Sequence, residues 1–167
     1  MSGLRDDRAI EAAVTALAAR FGNRLVTSQV VREQHAVERH TIEVQGDDEL
    51  FGEWDARRLG RVLANLVDNA VKYSPDGGAV EVEARRGSDG VRFTVTDQGL
   101  GVPEAERGRI FEKFVRLDPH MRRGIPGTGL GLYICRELVE QMGGRIWIDD
   151  NEGRGSTFAF ELPAAHT

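Results

Sequence analysis

Hydrophobic positions along this chain follow two rhythms, one helical and one of strict alternation, and the breaks between them mark most of the elements. Ile10, Val14, Leu17 and Phe21 share one helical face across residues 6–21, and Gly22-Asn23 follows as a stop signal. A second helix is expected over residues 25–37. Residues 41–45 alternate like a strand, and residues 49–52 are expected as a short second one. The clearest helix covers residues 55–73, where Leu59, Val62, Leu63, Leu66, Val67 and Ala70 make an apolar stripe. Asp55 is its expected N-cap, and Ser74-Pro75-Asp76-Gly77-Gly78 ends it.

Two alternating runs follow, Val80/Val82/Ala84 and Val91/Phe93/Val95, with Gly87-Ser88-Asp89-Gly90 between them as a hairpin turn. Residues 99–127 carry three prolines and only a short helical pattern around 104–115. A connection this long in a compact domain is usually functional, often a lid. A helix is expected from about Gly129 to Met142, with Leu130, Ile134, Leu138 and Met142 on its apolar face. Residues 145–149 and 156–162 close the chain as two strands. The predicted fold class is α+β: a two-layer sandwich in which a mixed, mostly antiparallel sheet of about five strands carries about three helices on one face.

Composition narrows the function classes. The chain has 167 residues, 40% hydrophobic and 29% charged, which suits one domain with a real core. No apolar run approaches the roughly 18 residues that a membrane span needs, so no direct membrane contact is expected. No signal-peptide pattern opens the sequence. A net charge of −5 offers nothing to nucleic acid. The single cysteine, Cys135, has no disulfide partner in the chain and reads as a core residue, which suits a reducing cytoplasm.

Several polar residues stand where chemistry is possible. Asn65 and Asn69 are one helical turn apart and flank the apolar stripe, with Lys72 beside them. From spacing alone they are equally solvated side chains at a helix margin. Asp97 ends a strand before Gly99 and Gly101, a pattern that is also ordinary turn chemistry. Gly127, Gly129 and Gly131 open a helix, so their amides and the helix N-terminus suit an anion, although neither a P-loop nor a Rossmann spacing is present. Between Val102 and Pro126 there are six Lys/Arg against four Asp/Glu, a net basic segment in an acidic chain.

Four segments occur in order: Asn65-Leu66-Val67-Asp68-Asn69, Asp97-Gln98-Gly99-Leu100-Gly101, Ile110-Phe111-Glu112-Lys113-Phe114 and Gly127-Thr128-Gly129-Leu130-Gly131-Leu132. Together they resemble the ATP-binding catalytic domain of bacterial sensor histidine kinases, a family in the superfamily of gyrase, the large heat-shock chaperone and the mismatch-repair ATPases. The resemblance runs from about residue 25 to 163. It implies that Asn69 gives an oxygen to Mg²⁺, that Asp97 accepts the adenine amine, and that Gly99 and Gly101 let the backbone approach the base. It also implies phosphate contacts from Lys72, at the end of the motif with Tyr73, from Gly127, Thr128, Gly129, Leu130, Gly131 and Leu132, and from Arg116 at the terminal phosphates. Phe111 and Phe114 would anchor the lid, and Thr157 would reach the adenine region through water.

Asn65 stands where ATP-hydrolysing members of the superfamily carry a glutamate. An amide has no useful basicity near neutral pH, so the resemblance implies poor activation of water and transfer to another acceptor. Asn65 and Arg116 are thus the expected catalytic pair, with ATP and Mg²⁺ as cofactors. None of His35, His40, His120 and His166 precedes an acidic residue as the family's acceptor histidines do. The expected acceptor is therefore a histidine on a separate dimerisation hairpin, with a response regulator downstream. Residues 1–22 read as a linker or the end of that hairpin, and 23–167 as the catalytic domain. The expected compartment is the cytoplasm, including the cytoplasmic part of a membrane-bound sensor. Two other readings are an anti-sigma-factor serine kinase, whose members carry the glutamate that Asn65 replaces, and a nucleotide-binding interaction module without catalysis.

Overall fold

The computed structural model describes residues 33–37, 40–47, 50, 52–116, 129–149, 151 and 153–164. Six strands form one sheet: β1 (Glu33–Val37), β2 (His40–Gly46), β3 (Gly78–Arg86), β4 (Gly90–Thr96), β5 (Arg145–Asp149) and β6 (Thr157–Pro163). Their spatial order is β1-β2-β3-β4-β6-β5. Only β2 and β3 pair in parallel, and the helix between them, α1 (Ala56–Lys72), is the crossover that a parallel pair requires. The other four pairings are antiparallel. A second helix, α2 (Gly131–Gln141), follows a 3₁₀ turn at Glu104–Glu106.

Alternation along the strands sends one side chain in two against the helices. Ile42 and Val44, Val80, Val82 and Ala84, Val91, Phe93 and Val95, and Phe158, Phe160 and Leu162 are all buried. They meet the stripe of α1 and, from α2, Cys135 and Val139. Phe93 stacks on Phe160 with centroids 4.8 Å apart, and Trp54 packs edge-on against Phe93 at 5.8 Å. Trp54 also donates from Nε1 to the Pro163 carbonyl at 2.8 Å, fixing the last strand to the entry of α1. Asp55 caps α1 by accepting from the amides of Arg57 and Arg58.

The α+β sandwich expected from the sequence is present, with differences in detail. Residues 33–37 form a strand rather than the end of a helix, which raises the strand count to six. Glu33-Gln-His-Ala-Val37 suits a helix locally, but antiparallel pairing with β2 wins. Leu50 and Gly52 belong to no strand; the rest of that expected strand, and the helices expected at 6–21 and 25–32, lie outside the described residues. Two α-helices are therefore present among the described residues where about three were expected. The buried face of α2 is also rotated: Cys135 and Val139 form its centre, with Leu132, Leu138 and Met142 at its margins, while Leu130 and Ile134 stay half-exposed.

Glu161 sits on the opposite face of the sheet, yet it is buried. Its carboxylate accepts from the Asp89 amide at 2.6 Å and the Ser88 hydroxyl at 3.3 Å, and pairs with Arg145 at 3.7 Å. It thereby pins the β3–β4 hairpin to β6. Glu161→Ala should lose about 1–3 kcal/mol by removing the charged acceptor of the Asp89 amide and the partner of Arg145. Glu161→Gln keeps an acceptor oxygen and should recover much of that loss. Urea unfolding followed by tryptophan fluorescence measures both, and equal stability of Glu161→Ala and the natural chain would refute the role.

Candidate functional site

The site is assembled at the C-terminal end of α1, where the turn after β4 is clasped against the helix. Tyr73 caps α1, and its carbonyl accepts from the Leu100 amide at 3.0 Å. The approach is so close that a Cβ on Gly99 would stand 2.1 Å from that carbonyl oxygen. Gly99 is thus required by proximity to α1, whereas Gly101, with φ +76, is required by conformation.

Asp97, immediately after β4, is only 3% exposed. Its Oδ1 accepts from the Gly99 amide at 2.9 Å and the Ser156 amide at 3.3 Å. Burial pushes its carboxyl above the usual carboxylate range, and the two backbone amides partly oppose that push. Ser156 lies in the β5–β6 connection, which comes equally close: Gly155 holds φ +102, and a Cβ there would stand 2.0 Å from the Asp97 carbonyl oxygen.

Along α1, Asn65, Asn69 and Lys72 are all half-buried. Lys72 Nζ lies 2.7 Å from Asp68 Oδ2, so it is already committed to a partly exposed ion pair. The Asn69 side chain makes no hydrogen bond among the described residues, while the Asn65 side chain reaches toward Cys135 of α2 and favours its thiolate, less than burial disfavours it. Burial raises the Cys135 thiol to about 12, and its Sγ sits 3.7 Å from the Val62 carbonyl. Cys135 is therefore an inert core group.

The glycine-rich entry of α2 joins the same region. Leu130 precedes the helix, Gly131 begins it and Leu132 packs on the core. Gly129 holds φ +73, and its carbonyl accepts from the Phe114 amide at 2.9 Å. A Cβ on Gly129 would stand 3.3 Å from Arg116 Cγ, so Arg116 flanks the start of α2. Gly127 and Thr128, with residues 117–126 of the expected lid, lie outside the described residues. The two expected anchors divide: Phe111 is buried edge-on against Phe158 at 6.3 Å, but Phe114 is exposed.

Thr157 is not brought to Asp97. It shares the open face of the sheet with Thr96, their hydroxyl oxygens 3.0 Å apart, while its neighbour Phe158 points into the core. Ser156, one residue earlier, is what meets Asp97, and strand alternation through Phe158 and Phe160 could have indicated this from the sequence.

With this geometry in view, residues 54–166 match the family model described as histidine kinase-, DNA gyrase B- and HSP90-like ATPase. The chain belongs to this family. It is 37% identical over 137 residues to the sensor histidine kinase WalK of Bacillus subtilis (strain 168), covering 81% of the chain and 22% of WalK. The mycobacterial sensor histidine kinase MprB has a similar solved structure, with TM-score 0.68 and 28% identity over 95% of this chain and 94% of that one. ShkA, solved in complex with AMPPNP, gives TM-score 0.67 and 29% identity over 96% of this chain and 37% of ShkA. The chain thus corresponds to the catalytic domain of histidine kinases and spans about a fifth of the length of WalK. No helix among the described residues is long and apolar enough to cross a membrane.

Because burial raises the Asp97 carboxyl in the folded state, that state holds the proton more tightly than the unfolded chain does. The resulting stability is full below the ordinary carboxylate value near 4 and is lost as pH rises through the raised folded value. Asp97→Asn keeps an oxygen for both amides and never ionises. The ligand-free variant should melt above the natural chain at pH 7, with the gap closing as pH falls toward 4. A gap independent of pH in thermal melts would contradict the assignment.

Proposed function

We propose that this domain binds Mg²⁺-ATP and transfers the γ-phosphoryl group to a histidine on a separate dimerisation hairpin, from which a response regulator takes it in the cytoplasm. The observation that carries the reading is the clasp of Gly99 and Leu100 on Tyr73. It joins a buried carboxylate acceptor to the Asn65–Asn69–Lys72 stripe. The AMPPNP complex of ShkA supports a nucleoside triphosphate as ligand.

Asp97 Oδ1 is engaged by two amides, which leaves Oδ2 as the acceptor for an adenine exocyclic amine. A guanine would offer a carbonyl oxygen there, and two acceptors repel. Asn69 supplies a hard amide oxygen, and no trio of His, Cys, Asp or Glu gathers among the described residues. That donor set fits Mg²⁺, which takes one or two protein ligands and the rest from phosphates and water. When bound, Mg²⁺ neutralises charge on the phosphates. The start of α2 and the Arg116 guanidinium supply positive potential beside them. Asn65 orients without removing a proton, so water stays a poor nucleophile.

Asn69→Ala should fold normally and lose the Mg²⁺-dependent part of ATP affinity. Coincident Mg²⁺ titrations of variant and natural chain in calorimetry would exclude the ligand role.

The test of the whole reading uses γ-labelled ATP. The chain alone should hydrolyse ATP very slowly and leave itself unlabelled on histidine. Given a dimerisation hairpin of a related kinase, it should label that hairpin with an acid-labile bond, as phosphoramidates are. Acid-stable label on serine would favour the anti-sigma kinase, and brisk hydrolysis by the isolated chain would favour an ATPase.

A further inference from the structure

Ser74 follows the α1 cap and is 2% exposed, yet its hydroxyl has no hydrogen-bond partner among the described residues. Buried hydroxyls are rarely left so, because desolvation goes uncompensated. The residue cannot simply turn away, since its backbone is held on three sides. Its amide donates to Val71 O at 3.3 Å, and its carbonyl accepts from Gly77 N at 3.0 Å and from His40 Nε2 at 2.8 Å.

The hydroxyl is aimed at the turn that carries Asp97. A Cβ on Gly99 would stand 2.6 Å from Ser74 Oγ, and the Gly99 amide is the donor to Asp97 Oδ1 at 2.9 Å. Ser74 Oγ and the Asp97 carboxylate therefore flank one residue. One offers a donor with no protein acceptor, and the other an oxygen, Oδ2, with no protein donor among the described residues. A neighbouring donor and acceptor match the edge of adenine, where N1 accepts and the exocyclic amine donates.

We propose that Ser74 is a second base-recognition residue, whose hydroxyl donates to adenine N1, directly or through one water, while Asp97 accepts from the amine. This rests on the nucleotide reading above and adds a residue to it. A hydroxyl both donates and accepts, so Ser74 contributes affinity for N1 while Asp97 excludes guanine. Read from the sequence alone, Ser74 is only a turn residue before Pro75.

The experiment titrates the 167-residue chain and its Ser74→Ala variant with ATP and with 1-deaza-ATP, in which N1 is replaced by CH. The natural chain should prefer ATP by about 3- to 10-fold, the value of one neutral hydrogen bond. Ser74→Ala should bind both nucleotides alike, at the weaker level, and its ligand-free melting temperature should not fall. Ser74→Cys, similar in volume and a weak donor, should lie between and carries the same criterion if the alanine variant does not fold. Full discrimination retained by either variant, or none in the natural chain, overturns the proposal. A natural chain that binds neither nucleotide overturns the nucleotide reading and this inference with it.

Discussion

One backbone contact organises this molecule: the Leu100 amide on the Tyr73 carbonyl, made possible by the missing side chain of Gly99. α1 is fixed to the sheet by its apolar stripe, and β4 is fixed by pairing on both sides. At Gly99 and Leu100 the end of the helix and the turn after the strand meet. Moving that turn outward by the width of a methyl group would carry Asp97 away from Asn69 while leaving both elements intact. Helical rise does the remaining spacing, since Asn65 and Asn69 are separated by one turn, about 6 Å along the axis.

The clasp also explains why the site works against stability. Asp97 is held away from water by Gly99 on one side and by Gly155 and Ser156 on the other. Its charge is therefore opposed by burial and only partly supported by two amides. Ser74 adds a hydroxyl without a partner among the described residues. A fold optimised only for stability would carry an asparagine and an alanine there. Their persistence in a buried place is physically reasonable if a ligand completes both sets of hydrogen bonds, as strained and unsatisfied groups at functional sites generally do.

Most of the sheet and both helices were legible because periodicity is strong where one face is buried. Asp55–Tyr73 was bounded correctly by its cap and by the Ser74–Gly78 turn. Residues 33–37 were not legible, since only their pairing with β2 makes them a strand. The α2 face was shifted because both Leu130/Ile134 and Cys135/Val139 recur at helical spacing, and only docking against α1 chooses between them. At the site, motif spacing and the family resemblance singled out Asp97 and the asparagines as candidates, and burial of Asp97 was not legible. They left Ser74 as turn chemistry, because serine before proline reads that way until burial is known, and they favoured Thr157 over Ser156, which strand alternation would have singled out. Lys72 was found, but its ion pair with Asp68 was not.

The proposed phosphate end of the site is built differently from the proposed base end. Phe114 holds φ 61, a left-handed conformation that costs a bulky residue on the order of 1–3 kcal/mol. Its amide nevertheless donates to Gly129, itself left-handed at φ +73. Phe111 anchors the chain just before, and Arg116 lies against Gly129 just after. Phe114 and Arg116 therefore both meet Gly129, just before the start of α2. This closure brings the stem of the Arg116 side chain against the residue that precedes α2. The strain at Phe114 is the cost of that closure. It follows that, in the proposed nucleotide site, the base end and the phosphate end would be stabilised separately, one by the Gly99 clasp and the other by the Phe114–Gly129 contact.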